Sequence, residues 1–218
     1  MTTFIGIDGI RRGWVAVYLD GDGTQRFAHA SSVAELLAGP YQRAMIDMPI
    51  GLPECGYRQC DQEARAIVGS RVFLGARRGV WGFKTLDEAN AHYWKAEGVG
   101  RGISMQLFCI RDKLRELNEA PVPARLFEAH PEMIFWRLAG RVLTGKKSVQ
   151  GRDERIALLE AKGLGEVRRW LGQRRGTGIG QDDLIDACAC VVAARDSTDT
   201  VPPRKARADR SVRAEIWY

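Results

Sequence analysis

The sequence predicts an α/β protein: a mixed sheet, three antiparallel strands followed by strands added through helices, covered on its faces by helices. Three observations predict it. The first thirty residues hold three short strand-like segments, 3–8, 13–19 and 24–29, joined by tight turns, which is a meander. Two later strand-like segments, 43–48 and 124–129, are each preceded by helical sequence, so they enter the sheet by crossover. The segment 182–195 is a long helix rich in Ala, Cys and Val, small enough to pack closely on a sheet.

The elements follow in order. Asp8-Gly9 starts the turn out of the first strand, and Trp14, Val15, Val17, Tyr18 and Leu19 supply the second. Ser32 and Glu35 have the spacing of a capping box and predict a short helix to about residue 38. The fourth strand stops at Pro49. A helix over 59–68 ends at Gly69, a Gly- and Arg-rich loop runs to 84, and helices are expected over 85–97 and 104–119. Pro121 and Pro123 introduce the fifth strand, and Pro131 opens the next helix. Helices over 152–162 and 166–172 precede a loop, 172–180, with four glycines, expected to be mobile. A last strand is expected over 214–217. The chain is expected to be one domain, 1–218, with a helical insertion at about 69–120.

Composition narrows the function classes. At 218 residues and 45% hydrophobic, the chain can bury a full core. Its longest apolar run, 187–194, is far short of the roughly 20 residues that span a bilayer. With no secretory signal in view, a cytoplasmic protein without membrane contact is expected. Five cysteines do not make a disulfide framework, and neither the Cys55/Cys60 nor the Cys188/Cys190 spacing makes a metal site, so all are read as small core residues. The net charge of +6 is unevenly placed: residues 1–136 balance 16 basic against 16 acidic, while 137–175 hold 11 basic and 4 acidic. That segment reads as a phosphate-binding surface, or more plainly as a solvated face.

The acidic residues form the sharper pattern. Asp8 ends the first strand, Asp47 the fourth, and Glu128 stands near the end of the fifth; Asp183 and Asp186 lie three apart on one helix face. Carboxylates brought together beside a packed face repel, and a bound cation relieves them; oxygen ligands suit Mg²⁺ or Mn²⁺. Plainer readings stand beside this one. Asp8 suits a turn before Gly9, Asp47 a solvated strand end, Glu128 an arginine pair, and Asp183 a helix cap. Asp186, inside the helix and beside its packed face, resists such a plainer reading best.

The segments GIDGIRRGWVAV, IDMPIGL, RQCDQEAR, FEAHPE and DDLIDACACVVAA, in this order, resemble the uncharacterised family of predicted RNase H-like nucleases (domain of unknown function 429) over about residues 4–217. The resemblance implies an RNase H-like fold and phosphodiester hydrolysis at two cations. It implies that Asp8 is a ligand shared by both metals, that Asp47 is a carboxylate at the end of strand four, and that Asp183 and Asp186 are the acidic pair of the last core helix. Glu128 would be a further ligand or hold the site in shape. By its own setting before Pro131, His130 reads as a general base, a partner of Glu128 or, at least as readily, a satisfied structural histidine. The expected partner is DNA or RNA. Phosphate contacts are expected from Arg11 and Arg12, which follow the first strand, from Lys146, Lys147, Arg152 and Arg155, and from Arg174 and Arg175 before the acidic helix.

Trp81, Phe83, Tyr93 and Trp94 could stack bases but more simply pack a core. Arg58, Asp61 and Arg65 suggest an ion pair along one helix. No P-loop, dinucleotide fingerprint or nucleophile elbow occurs. Two other classes compete with a nuclease: a nucleic-acid or nucleotide binder of the same fold without turnover, and a phosphotransferase of the actin and sugar-kinase type, which needs two such domains.

Overall fold

A computed structural model of the chain describes residues 2–98, 100–204 and 214–218. The chain divides into two compact units: Met1–Met48 with Arg125–Thr198 and Trp217–Tyr218, and Pro49–Ala124 with Asp199–Ile216. The segment 69–120 lies wholly within the second.

The first unit is α/β, with a five-stranded mixed sheet flanked by helices. Strands β1 (Thr3–Gly9), β2 (Trp14–Asp20) and β3 (Gln25–Ala30) form the meander, and β4 (Arg43–Ile46) and β5 (Leu126–Glu128) extend it, in the order β3-β2-β1-β4-β5. β1 pairs antiparallel with β2, and β2 with β3; β1–β4 and β4–β5 are parallel. The C-terminal ends of β1, β4 and β5 therefore lie along one edge. Between β3 and β4, α1 (Val33–Leu36) is capped by Ser32, whose hydroxyl accepts the Glu35 N–H.

The helices of this unit are α6 (Pro131–Ala139), α7 (Val149–Ala161), α8 (Val167–Gln173) and α9 (Gln181–Asp196). α7 begins earlier than the spacing predicts because the Ser148 hydroxyl caps it, accepting the Gly151 N–H at 3.0 Å. α9 is the core helix: every residue from Leu184 to Ala194 is buried, Cys188 and Cys190 included, so it is enclosed on all sides rather than amphipathic. It packs on β1 at Gly6, where an added Cβ would stand 2.1 Å from Ala187 O and from Val191 N. Only glycine allows that approach. Val15, Val17, Met45, Phe135, Leu159 and Trp170 complete the core around it.

The second unit holds α2 (Gln59–Val68), α3 (Leu86–Glu97), α4 (Met105–Cys109), α5 (Arg111–Glu119) and the two-residue strand β6 (Thr200–Val201). The helix expected over 104–119 is two helices, broken at Ile110, which takes a turn conformation (φ −97°, ψ 8°). Both pieces then bury apolar residues: Leu107 and Phe108 from one, Leu114 and Leu117 from the other. The ion pair expected on α2 is present as buried Arg58 and Asp61, with Arg58 Nε 3.0 Å from Asp61 Oδ2. Arg77 is fully buried, 2.8 Å from Glu97 Oε2 and over the Tyr93 ring at 4.3 Å. Tyr93 is core as expected, whereas Trp94 is 44% exposed. The cysteines divide: Cys60 is buried like Cys188 and Cys190, but Cys55 and Cys109 are exposed. The last strand, β7 (Ile216–Trp217), is shorter than expected. Among the described residues, no helix is long and apolar enough to cross a membrane.

Candidate metal centre

Register and pleat assemble the site. In the β1–β4 ladder Ile7 faces Ile46, and the Asp47 N–H donates to Ile7 O at 3.0 Å. The next residues along, Asp8 and Asp47, thus stand side by side at the C-terminal edge, on adjacent strands spaced by about 4.8 Å. Asp8 shares its face of β1 with Gly6, two residues earlier, and Gly6 is where α9 touches the sheet. One turn back along α9 from Cys190 lies Asp186. The two steps match: about 6.6 Å along the strand and about 6 Å along the helix. Oxygens of Asp8, Asp47 and Asp186 consequently all lie within 4.8 Å of one another.

These carboxylates are costly to ionise. Asp8 and Asp186 are buried, at 8% and 2% exposure; Asp47 is partly exposed. Burial pushes the Asp8 carboxyl well above the usual range, and the charges of Asp47, Asp186 and Asp183 push it further. Asp47 is likewise raised well above it, first by burial and then by Asp186. Asp186 is raised by burial, against the pull of Lys146, whose Nζ donates to Asp186 Oδ2 at 2.7 Å. Burial alone would lower the Lys146 ammonium, but Asp186, Asp47 and Asp8 hold it above its ordinary value. Asp8 Oδ1 accepts the Gly9 N–H at 2.6 Å, so the turn role and the cluster role belong to the same side chain. Among the described residues, Asp186 Oδ1 is buried without a hydrogen-bond partner. The Cys190 thiol is pushed up by burial and then by the charges of Asp47, Asp8 and Asp186.

The other expected residues fall elsewhere. Asp183 is drawn back to the helix start, accepting the Gly180 N–H at 3.1 Å; its charge still reaches Asp8. Glu128 is buried but pairs with Ile46, one residue short of the Asp47 row, so the pleat turns it to the opposite face. His130 is the N-cap of α6, its carbonyl accepting the Met133 and Ile134 N–H groups.

The basic residues divide as well. Arg155 is fully buried, 2.7 and 2.9 Å from the two oxygens of Glu132, and so has no face to offer a phosphate. Lys146, Lys147 and Arg152 gather along the first turns of α9, bonded to Asp186, Asp182 and Gln181 respectively. Arg11 and Arg12 are exposed in the turn after Asp8, and Arg175 is exposed beyond α8. Arg174 is tied down, donating to Ile179 O at 3.1 Å.

The donor set fits a divalent ion that prefers oxygen: three carboxylates converge, and one buried oxygen among them lacks a proton to accept. The lysine at the centre was visible in the sequence only as part of a basic stretch; its pairing with Asp186 bridges forty residues and left no local signal.

Comparison with known proteins adds one relationship. The family described as protein of unknown function (DUF429) has a model that matches residues 6–207. No curated protein and no solved structure matches the chain.

Proposed function

The chain belongs to the DUF429 family, and from that premise we propose that it is an RNase H-like, metal-dependent nuclease that hydrolyses phosphodiester bonds of DNA or RNA. One observation carries the reading: Asp8, Asp47 and Asp186 converge within 4.8 Å, with a buried Asp186 oxygen left without a partner. Three such carboxylates beside a single ammonium make a site whose charge a divalent cation balances. The strand order supports it too, since three antiparallel strands followed by two parallel ones, with acids at the ends of the first and fourth, is the pattern the RNase H-like resemblance implies.

Asp8, Asp47 and Asp186 would hold Mg²⁺ or Mn²⁺, with Asp183 at the margin. The chemistry such ions would supply there is activation of a water and stabilisation of the leaving 3′-oxygen. The chain's own residues position the substrate. The Gly9 N–H holds one Asp8 oxygen in place. Arg152 presents a cation at the start of α9 to a phosphate backbone, and Arg11 and Arg12 do so from the turn beyond Asp8.

The test is cleavage of single- and double-stranded DNA and RNA with Mg²⁺ or Mn²⁺. Asp8→Asn and Asp186→Asn are each expected to reduce cleavage by roughly 100-fold or more, with circular dichroism unchanged. Cleavage that survives both substitutions overturns the assignment; salt-sensitive binding without cleavage in the wild type favours the binding protein instead.

A further inference from the structure

Lys146 has a place in the centre that phosphate binding alone does not explain. Its ammonium lies 2.7 Å from Asp186 Oδ2, and it reaches there from outside: the lysine side chain is 39% exposed, that of Asp186 3%. The backbone beneath it is clamped. Buried Arg155, itself held by Glu132, donates to Thr144 O at 2.8 Å. Gly145 O packs so closely on α7 that a Cβ at Gly151 would stand 2.3 Å from it. The main chain before Lys146 is therefore fixed, and the freedom that remains is in its long side chain. That side chain satisfies Asp186 incompletely, since Oδ1 is still without a partner.

We infer that Lys146 is the resident counter-ion of the carboxylate centre, which holds Asp186 in the absence of a metal and which a divalent ion displaces on binding. This rests on the metal-site reading above. A lone ammonium compensates one of three converging carboxylates, which keeps the cluster together while leaving oxygens open. A second cation on Asp186 repels the first, so metal binding includes the cost of breaking the Lys146–Asp186 bond. The Glu132–Arg155 pair serves this arrangement as a positioning device, through the Thr144 carbonyl.

Calorimetric titration of the whole chain with Mn²⁺ alone tests it. Lys146→Met is expected to bind Mn²⁺ roughly tenfold more tightly than the wild type, the scale of a charged hydrogen bond no longer broken. Arg141→Met, the same charge change at a surface ion pair with Glu154, is expected to stay within about twofold. Without metal, Lys146→Met is expected to melt below the wild type, and saturating Mn²⁺ to close that gap. If wild type binds Mn²⁺, Asp186→Asn does not, and Lys146→Met binds no more tightly than Arg141→Met, the counter-ion inference falls while the metal site stands. If neither wild type nor Lys146→Met binds Mn²⁺, the metal site falls and this inference with it. Should Lys146→Met not fold, acetic anhydride labelling of the wild type decides: Lys146 is expected to be acetylated faster with Mn²⁺ present, and an unchanged rate overturns the inference.

Discussion

Asp8 carries two loads that oppose each other. It starts the β1–β2 turn by accepting the Gly9 N–H, and it is buried against Asp47 and Asp186. Because burial and like charge raise its folded-state pKa above the unfolded value, the stability linked to it is present at low pH and is lost as pH rises through the raised pKa. Asn in its place keeps the acceptor for Gly9 and removes the charge. Asp8→Asn is therefore expected to melt several degrees above the metal-free wild type at neutral pH, since ~1 kcal/mol moves a chain of this size by about 2–4 °C. The gap should narrow as pH falls toward 4. Thermal melts across pH without metal check this, and a gap independent of pH refutes it. The sequence showed the acids at the site but not their ranking. Asp186 stood out because nothing inside a helix explains a buried acid, whereas Glu128 and Asp47 look alike until the β4–β5 register is known. A single residue of offset separates the two faces of a sheet, and no local pattern records it.

At the scale of elements, the centre depends on how closely α9 lies on β1. Gly6→Ala places a methyl 2.1 Å from backbone atoms of Ala187 and Val191, which cannot move as a side-chain end can. The helix must lift, at a cost of roughly 1–3 kcal/mol, and Asp186 lifts with it. Lower thermal stability together with weaker Mn²⁺ binding is expected; weaker stability with unchanged binding would show that the contact does not place Asp186. The meander, α9 and the order of the later strands were legible because their apolar periods are long and their turns carry Gly and Pro. The break between α4 and α5 was not, because Ile110–Arg111 has neither a glycine nor a proline and the turn is set by packing on both sides. Nor was the early start of α7, which a serine cap decides.

For the whole molecule, net charge overstates the surface open to a polyanion. Of the 11 basic side chains in 137–175, six are paired with carboxylates: Arg141, Lys146, Lys147, Arg155, Arg168 and Arg169. Of the residues expected to touch phosphate, exposed Arg11, Arg12 and Arg175, together with Arg152, then count for about four contacts. Nucleic-acid affinity is expected to fall with salt at a log–log slope of about −3 to −4, at roughly 0.7–0.9 per phosphate. Fluorescence anisotropy over a salt series measures it, and a slope steeper than about −6 would mean that the ion pairs open on binding.

Cys190 gives the centre one more property. Burial, and then the charges of Asp47, Asp8 and Asp186, keep its thiol protonated. The charge that would draw a cation to the centre is thus the same charge that, together with burial, holds the Cys190 sulfur in its neutral form.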